Sequence, residues 1–167
     1  MEKRFLYLTP DGFDNLELLC DFEGVVGIRF SSTNEQERSS DGPSFLLAKN
    51  FLDAYFAARP LPFCPFFLKG ITPFQKKVYE EAQRIPFGKL CTYGELSHRI
   101  ESRIGSGFVS PRAVGQALKK NPILLWIPCH RIIPADGSLG GFAGGIKNKE
   151  ALLRFEKEYA GGCGHEN

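Results

Sequence analysis

The sequence has little excess charge of either sign. Its 21 Lys and Arg residues stand against 19 Asp and Glu residues, which gives a formal net charge of +2 at pH 7. Proteins that hold nucleic acid through bulk electrostatics are much more basic than this. Any contact with nucleic acid must therefore depend on a local patch.

Closely paired cysteines are also absent. The five cysteines are Cys20, Cys64, Cys91, Cys129 and Cys163, an odd number at wide spacing and without a CxxC pair. This distribution argues against a disulfide framework and against a structural zinc site. We expect reduced thiols, no metal, and a cytoplasmic protein (nuclear if the source is eukaryotic).

Long hydrophobic runs are missing as well. No stretch approaches the ~18 apolar residues of a membrane span. The first four residues lead into a strand-like segment, so we expect no signal peptide and no membrane partner. A hydrophobic fraction of 43% in 167 residues is enough for one or two small domains with a core.

The N-terminal part is typical of a small antiparallel sheet with one packed helix. Turn signals at 10–12 and 23–24 separate segments rich in apolar residues. The three prolines of residues 59–69 indicate an extended linker. We predict strands at 5–8, 16–22 and 25–30, a loop at 31–43, and a helix at 45–58.

The C-terminal part is predicted to be mostly helical. Thr72 with Gln75 and Thr92 with Glu95 have the spacing of capping boxes, and each opens a helical pattern. Ser110 followed by proline begins a further helix, predicted to end near residue 120. Two short helices joined by a turn form a helix-turn-helix. The sequence therefore predicts an α+β or α/β chain with domains 1–68 and 69–167.

The last of these three helices is rich in small residues. Ala113, Gly115 and Ala117 would let it lie close to another surface, either a neighbouring helix or a nucleic-acid groove. Lys119 follows, where it can meet phosphates or complement the helix dipole. Because long polar side chains that read base edges are few here, we expect weak sequence specificity.

Residues 127–133, Ile-Pro-Cys-His-Arg-Ile-Ile, carry the strongest chemical signal. Cys129 is a nucleophile when ionised, and the adjacent His130 and Arg131 provide a basic, electropositive setting. Pro128 fixes a backbone torsion directly before it. The segment therefore favours a reactive cysteine over a thiol that merely fills the core.

Further motifs surround this segment in a characteristic order and spacing. They are Thr92-Tyr93-Gly94-Glu95-Leu96, Ser110-Pro111-Arg112-Ala113-Val114-Gly115-Gln116-Ala117-Leu118, Asn121-Pro122 and Gly137-Ser138-Leu139-Gly140-Gly141-Phe142-Ala143-Gly144-Gly145. With them, residues 72–156 resemble the O6-alkylguanine-DNA alkyltransferases, also called methylated-DNA–protein-cysteine methyltransferases. The resemblance covers about half of the chain.

The resemblance implies direct repair of alkylated DNA. Cys129 would accept the alkyl group from O6-alkylguanine, and from O4-alkylthymine, irreversibly and once per molecule, with no cofactor. The nucleotide must first be flipped out of the duplex. The resemblance further implies minor-groove binding of double-stranded DNA by a monomer, and a ribonuclease H-like N-terminal domain.

The resemblance also assigns roles to individual residues. Arg112 would fill the gap left by the flipped base, and Tyr93 would crowd the target phosphate and hydrogen-bond the base. A water would join Cys129 to His130. Contacts with DNA are expected from Arg112, Tyr93, Ala113, Gly115, Lys119 and Arg131, while Asn121, Pro128, Phe142, Ala143 and Gly144 would shape the site.

Glu156 is indicated by helical spacing as well. Its neighbours three and four residues away are Leu152, Leu153, Tyr159 and Ala160, a face on which a carboxylate needs a partner. His130 is the partner that we predict. The alternatives are a cysteine hydrolase, which would need another histidine, a lesion-binding protein, which would lack Cys129, and a helix-turn-helix regulator.

Overall fold

A computed structural model describes residues 2–31, 42–105 and 107–160. The chain divides into two compact units, Met1–Lys69 and Gly70–Asn167. Most of the loop predicted at 31–43 lies outside the described residues, and so does Cys163. No helix of the described ranges has the length and apolarity that crossing a membrane requires.

The first unit contains the predicted antiparallel sheet and helix. Strands β1 (Lys3–Tyr7), β2 (Asn15–Cys20) and β3 (Val25–Ser31) pair in that order. In β2 every second side chain is buried, as expected for a sheet with one covered face. Helix α1 (Pro43–Phe56) packs on β2 and β3.

The second unit is mostly helical, as predicted. It contains α2 (Pro73–Ala82), α3 (Tyr93–Ile104), α4 (Pro111–Lys119) and α5 (Ile146–Ala160). Two short strands, β4 (Cys91–Thr92) and β5 (Ile132–Ile133), pair in parallel. The unit's helices α2, α3 and α4 pack against one another.

Local sequence signals explain where these helices begin. Thr72 and Thr92 each accept a hydrogen bond from the backbone three residues on, and Gln75 and Glu95 return it, so both capping boxes are present. Ser110 caps α4. Helix α3 extends four residues beyond its predicted end, and the Glu101 side chain in that last turn accepts a hydrogen bond from the next segment of chain.

Helix α4 buries one face and exposes the other. Val114 and Leu118 are buried, and Ala117 is buried with them. Its carbonyl accepts a 3.0 Å hydrogen bond from the hydroxyl of Tyr79 on α2. Ala117 therefore packs within the protein. Of the three small residues, Ala113 and Gly115 lie on the more accessible side of the helix.

Candidate active site

Cys129 lies at the end of a sharply folded segment. Pro128 has φ −80° and ψ 59°, and the Cys129 amide donates a 2.8 Å hydrogen bond to the Ile127 carbonyl. These values define an inverse γ-turn, which the fixed φ of proline favours. Leu125, just upstream, has a positive φ of 69°, a conformation that costs a non-glycine residue free energy. The cysteine is thus presented by a closely constrained backbone.

Asn121 joins the end of α4 to the cysteine. Its Nδ2 donates to the Ile127 carbonyl at 2.9 Å and to the Cys129 sulfur at 3.1 Å, while its Oδ1 accepts from the Ile123 amide. Asn121 was expected to shape the site, but its contact with sulfur was not predicted. A donor aimed at sulfur favours the thiolate over the thiol.

Behind the cysteine, His130 and Glu156 form the predicted pair. Imidazole Nε2 lies 2.7 Å from carboxylate Oε1, and both side chains are almost completely buried. Gly88 donates its amide to the other carboxylate oxygen at 3.0 Å. Helix α5 therefore delivers a carboxylate to the histidine, and this fixes the orientation of the ring.

Arg131 corrects one prediction. Its guanidinium binds both carboxylate oxygens of Glu156 and donates to the Ile85 carbonyl at 2.6 Å, and only 7% of the residue is exposed. It also lies over the ring of Phe87. Burial of its charge against Glu156 leaves Arg131 unavailable to a DNA phosphate, so its role is internal.

Burial and charge set the protonation states of these groups. Burial lowers the pKa of His130 against the opposing effect of Glu156, so the ring is neutral near pH 7. Burial alone would raise the pKa of Glu156, but His130 and Arg131 hold that pKa below its usual range. A neutral ring that donates Nε2–H to an ionised carboxylate presents Nδ1 as a proton acceptor.

The thiol of Cys129 is neutral at rest. Burial raises its pKa to about 11, although Asn121 and Lys149 act in the opposite direction. The nucleophile therefore needs a base to remove its proton. Neutral His130, the next residue in the chain, has the protonation state of a base, and Asn121 and Lys149 both lower the pKa of the thiol.

Lys149 is a residue that the sequence analysis missed as part of the site. Its side chain on α5 is fully buried, and Nζ donates to the Ile132 carbonyl at 2.7 Å and lies 3.5 Å from the Gly141 carbonyl. Burial lowers its pKa to about 8, against the opposing effect of Cys129. A lysine on the same helical face as Leu152 and Glu156 was the signal that could have revealed it.

A cavity of about 330 Å³ opens onto the sulfur. Several of the predicted residues line it, namely Tyr93, Arg112, Gly115, Lys119, Cys129, Phe142 and Ala143. The rest of the lining comes from Pro111, Gln116, Leu118 and Gly141. Ala113 and Gly144 do not line it. Gly144 contributes instead through its carbonyl, which accepts a 2.8 Å hydrogen bond from Asn148.

Tyr93 fits against two glycines, Gly115 in the cavity wall and Gly140. A Cβ on Gly115 would lie 3.6 Å from the tyrosine ring, and one on Gly140 would lie 3.9 Å from its hydroxyl and 2.9 Å from Pro134. Gly140 also has a positive φ of 65°, so both space and backbone conformation favour glycine there. Burial raises the pKa of Tyr93, as does Cys129, and the phenol remains a hydrogen-bond donor.

These features define a class of protein with a buried cysteine nucleophile, a histidine–carboxylate pair and a cavity beside an exposed helix. The family described as 6-O-methylguanine DNA methyltransferase, DNA binding domain, matches residues 73–158. The chain belongs to this family, and the resemblance noted from its motifs is confirmed.

Known proteins extend the match over both units. The methylated-DNA–protein-cysteine methyltransferase of Saccharolobus islandicus strain M.16.27 is 40% identical, over 90% of this chain and 93% of its own. The Mycobacterium tuberculosis O6-methylguanine methyltransferase superposes with a TM-score of 0.77 at 32% identity, over 95% and 94% of the two chains. M. tuberculosis OGT in complex with DNA gives 0.76 at 32% identity, over 93% and 92%.

Proposed function

We propose that this protein reverses alkylation damage in DNA by transferring the alkyl group of O6-alkylguanine, and of O4-alkylthymine, to Cys129. The observation that carries the proposal is the placement of the Cys129 sulfur at a cavity whose other wall is α4. Family membership and the methyltransferase names of its relatives support it. The protein acts once, because a thioether is the final product.

Entry of the base requires the nucleotide to leave the duplex. Arg112, exposed in the first turn of α4 and at the mouth of the cavity, would occupy the space left in the stack. Tyr93 would crowd the phosphate and hydrogen-bond the flipped base. Gly115 and the exposed Ala113 allow α4 to approach the minor groove closely, with Lys119 beside a phosphate.

The transfer itself is a displacement at the alkyl carbon. His130 takes the thiol proton through a bridging water, while Glu156 stabilises the charge that this places on the ring. Sulfur forms a bond to the alkyl carbon as the bond between that carbon and guanine O6 breaks. The electron pair of the broken bond moves onto the base. The base then takes up a proton, which balances the proton lost by the thiol, and leaves as guanine.

The remaining assignments follow from the same proposal. We assign α3 and α4 to a helix-turn-helix that docks in the minor groove with weak sequence specificity, and the first unit to a ribonuclease H-like fold. The division into domains 1–68 and 69–167 assigns DNA binding and chemistry to the second domain. We further propose a monomer in the cytoplasm, or in the nucleus of a eukaryote.

Intact mass measurement tests the function directly. After incubation with a duplex that carries one O6-methylguanine, we expect a gain of one methyl group per chain, located on Cys129. Cys129→Ser should gain no mass and still bind the duplex. Methylation at Cys64 or Cys91, or repeated turnover without a gain of mass, would contradict the proposal.

A further inference from the structure

Phe108 is an exposed aromatic residue directly before α4. It is 83% exposed, the highest value among the large apolar side chains described in residues 70–160. A single exposed apolar residue is common on protein surfaces. Phe108 differs because the residue directly after it, Val109, is closely held at the start of α4.

The residues after Phe108 anchor the segment. Val109 is buried, and its amide donates a 2.7 Å hydrogen bond to the Glu101 carboxylate on α3. Ser110 then caps α4. Val109 and Val114 occupy the two positions of a hydrophobic staple, and both are buried. Because Val109 already provides the apolar contact at this helix start, Phe108 has no evident part in folding.

The residue before Phe108 favours a turn at the same place. Gly107 has a positive φ of 85°, and a Cβ there would meet no atom within 4 Å. The glycine is therefore explained by backbone conformation and not by crowding. Between this turn and the anchored Val109, the aromatic ring stands out from the surface.

Its position relates Phe108 to the proposed DNA contact. Pro111 and Arg112 line the mouth of the cavity, and three residues of chain span at most roughly 11 Å. Phe108 is thus close to the start of α4, on the same connection. Proteins that bind the minor groove often place phenylalanine or another apolar side chain against base steps or between them.

We propose that Phe108 is a second DNA-contacting residue, which packs against the sugars and base edges of the minor groove beside the nucleotide flipped into the cavity. The inference rests on the proposed function. It assigns to the α3–α4 connection a role in binding the duplex, and it separates that role from the charged contacts of Arg112 and Lys119.

Binding measurements with Phe108→Ala in a Cys129→Ser background test this inference. Aromatic contacts with bases contribute about 1–3 kcal/mol, which corresponds to roughly a 5- to 160-fold loss of affinity for a duplex with one O6-methylguanine. The salt dependence should stay unchanged, because no charge is removed. Phe108→Trp should retain affinity within about threefold, since another large apolar ring can pack in the same groove. Phe22→Ala, at an equally exposed position (87%) of the first unit, is the matched control and should bind normally.

Two further readouts distinguish DNA contact from a structural role. Phe108→Ala with Cys129 intact should react with free O6-benzylguanine at the unaltered rate, and Phe108→Trp should show a larger emission change on adding duplex than the unaltered protein, whose single tryptophan is Trp126. Unchanged duplex affinity of Phe108→Ala, or equal slowing with the free base, would overturn the inference. Failure of the unaltered protein to accept a methyl group from duplex DNA would instead overturn the proposed function.

Discussion

The reactivity of Cys129 depends on the few side chains around its sulfur. A pKa of about 11 leaves roughly one thiol in 10⁴ ionised at pH 7. The Asn121 amide at 3.1 Å and the buried ammonium of Lys149 both favour the thiolate. In the proposed transfer, these residues would favour the step in which the proton leaves sulfur.

Lys149→Gln should shift the pH dependence of alkyl transfer towards alkaline pH. Glutamine keeps an N–H donor for the Ile132 and Gly141 carbonyls but removes the charge that lowers the pKa of Cys129. We expect transfer about tenfold slower at pH 7 and an alkaline shift of roughly one pH unit there, with the difference shrinking above a pH of about 8, where Lys149 of the unaltered protein loses its own charge. Single-turnover rates between pH 6 and 10 measure both quantities.

The shift of the pH profile distinguishes an effect of the Lys149 charge from an effect of its hydrogen bonds on the structure of the site. Lys147→Gln, at an exposed position two residues earlier on α5, is the control and should leave the profile in place. A uniform loss of rate at every pH in Lys149→Gln would mean that the lysine only holds the two carbonyls in place.

At the scale of elements, α4 and α5 serve the site in different ways. Helix α4 brings Arg112 and Gly115 to the cavity from the accessible side. Helix α5 approaches from the interior, with Lys149 and Glu156 on its buried face. Changes on α4 should therefore affect the use of duplex DNA, whereas changes on α5 should affect chemistry and stability together.

Arg112→Ala should slow repair of duplex DNA far more than reaction with a free alkylguanine. Its proposed role is to compensate for unstacking, which costs a few kcal/mol, and each 1.4 kcal/mol lost is about tenfold in rate. We expect a 10- to 100-fold effect on duplex and little on free base, from parallel single-turnover assays. Similar slowing on both substrates would assign Arg112 to the chemical step or to folding.

Glu156→Gln should destabilise the second unit as well as slow transfer. It leaves the buried charge of Arg131 without its counter-charge, and removing one partner of a buried pair costs about 3–5 kcal/mol. We expect the Tm to fall by more than ~10 °C. Glu150→Gln, on the same helix but exposed, should change it little.

The pH dependence of stability gives the same test an independent readout. The pKa of Glu156 is held below its usual range in the folded protein, so its contribution is complete above the unfolded value of about 4.5 and is lost as the pH falls below it. Stability of the unaltered protein should therefore decline on acidification below that value. The decline should be shallower in Glu156→Gln, and an equal slope would contradict this linkage.

At the scale of the whole molecule, local signals predicted the elements well. The capping boxes at Thr72 and Thr92 and the serine before α4 mark helix starts by short-range hydrogen bonds that the sequence displays directly. The end of α3 was missed, because the hydrogen bond from Val109 to Glu101 joins residues eight apart. Such contacts follow from tertiary packing and not from propensity.

The sequence predicted which residues form the site better than it predicted the contacts between them. Cys129, His130 and Glu156 come together as expected, since a carboxylate on an apolar helical face needs a partner. Arg131 was assigned to DNA from the resemblance, and this assignment was wrong. Its burial depends on Ile85 and Glu156, which lie 46 residues before and 25 residues after it, and no local pattern reveals that.

The cavity is a property of the whole second unit, since residues from 93 to 143 form its walls. Its size, about 330 Å³, and its apolar lining by Leu118 and Phe142 suit an alkyl group with a ring, such as benzyl, which is larger than methyl. Burying such a group contributes about 1.5–3 kcal/mol. The nearby Trp126 and Leu124, which precede Cys129, do not line the cavity. Free O6-benzylguanine should therefore inactivate the protein and leave one benzyl group on Cys129.

A narrowed cavity provides the decisive comparison for this last prediction. Ala143→Phe adds a ring to the cavity wall and should reduce inactivation by O6-benzylguanine at least about tenfold, because the larger group loses its space. Ala135→Phe, exposed and away from the cavity, adds the same ring and should respond like the unaltered protein. Residual methyl transfer after incubation with the free base, together with intact mass, measures the effect. If the unaltered protein resists the free base, the cavity is too narrow in solution for the benzyl group. If Ala143→Phe remains fully sensitive, the benzyl group does not lie against residue 143.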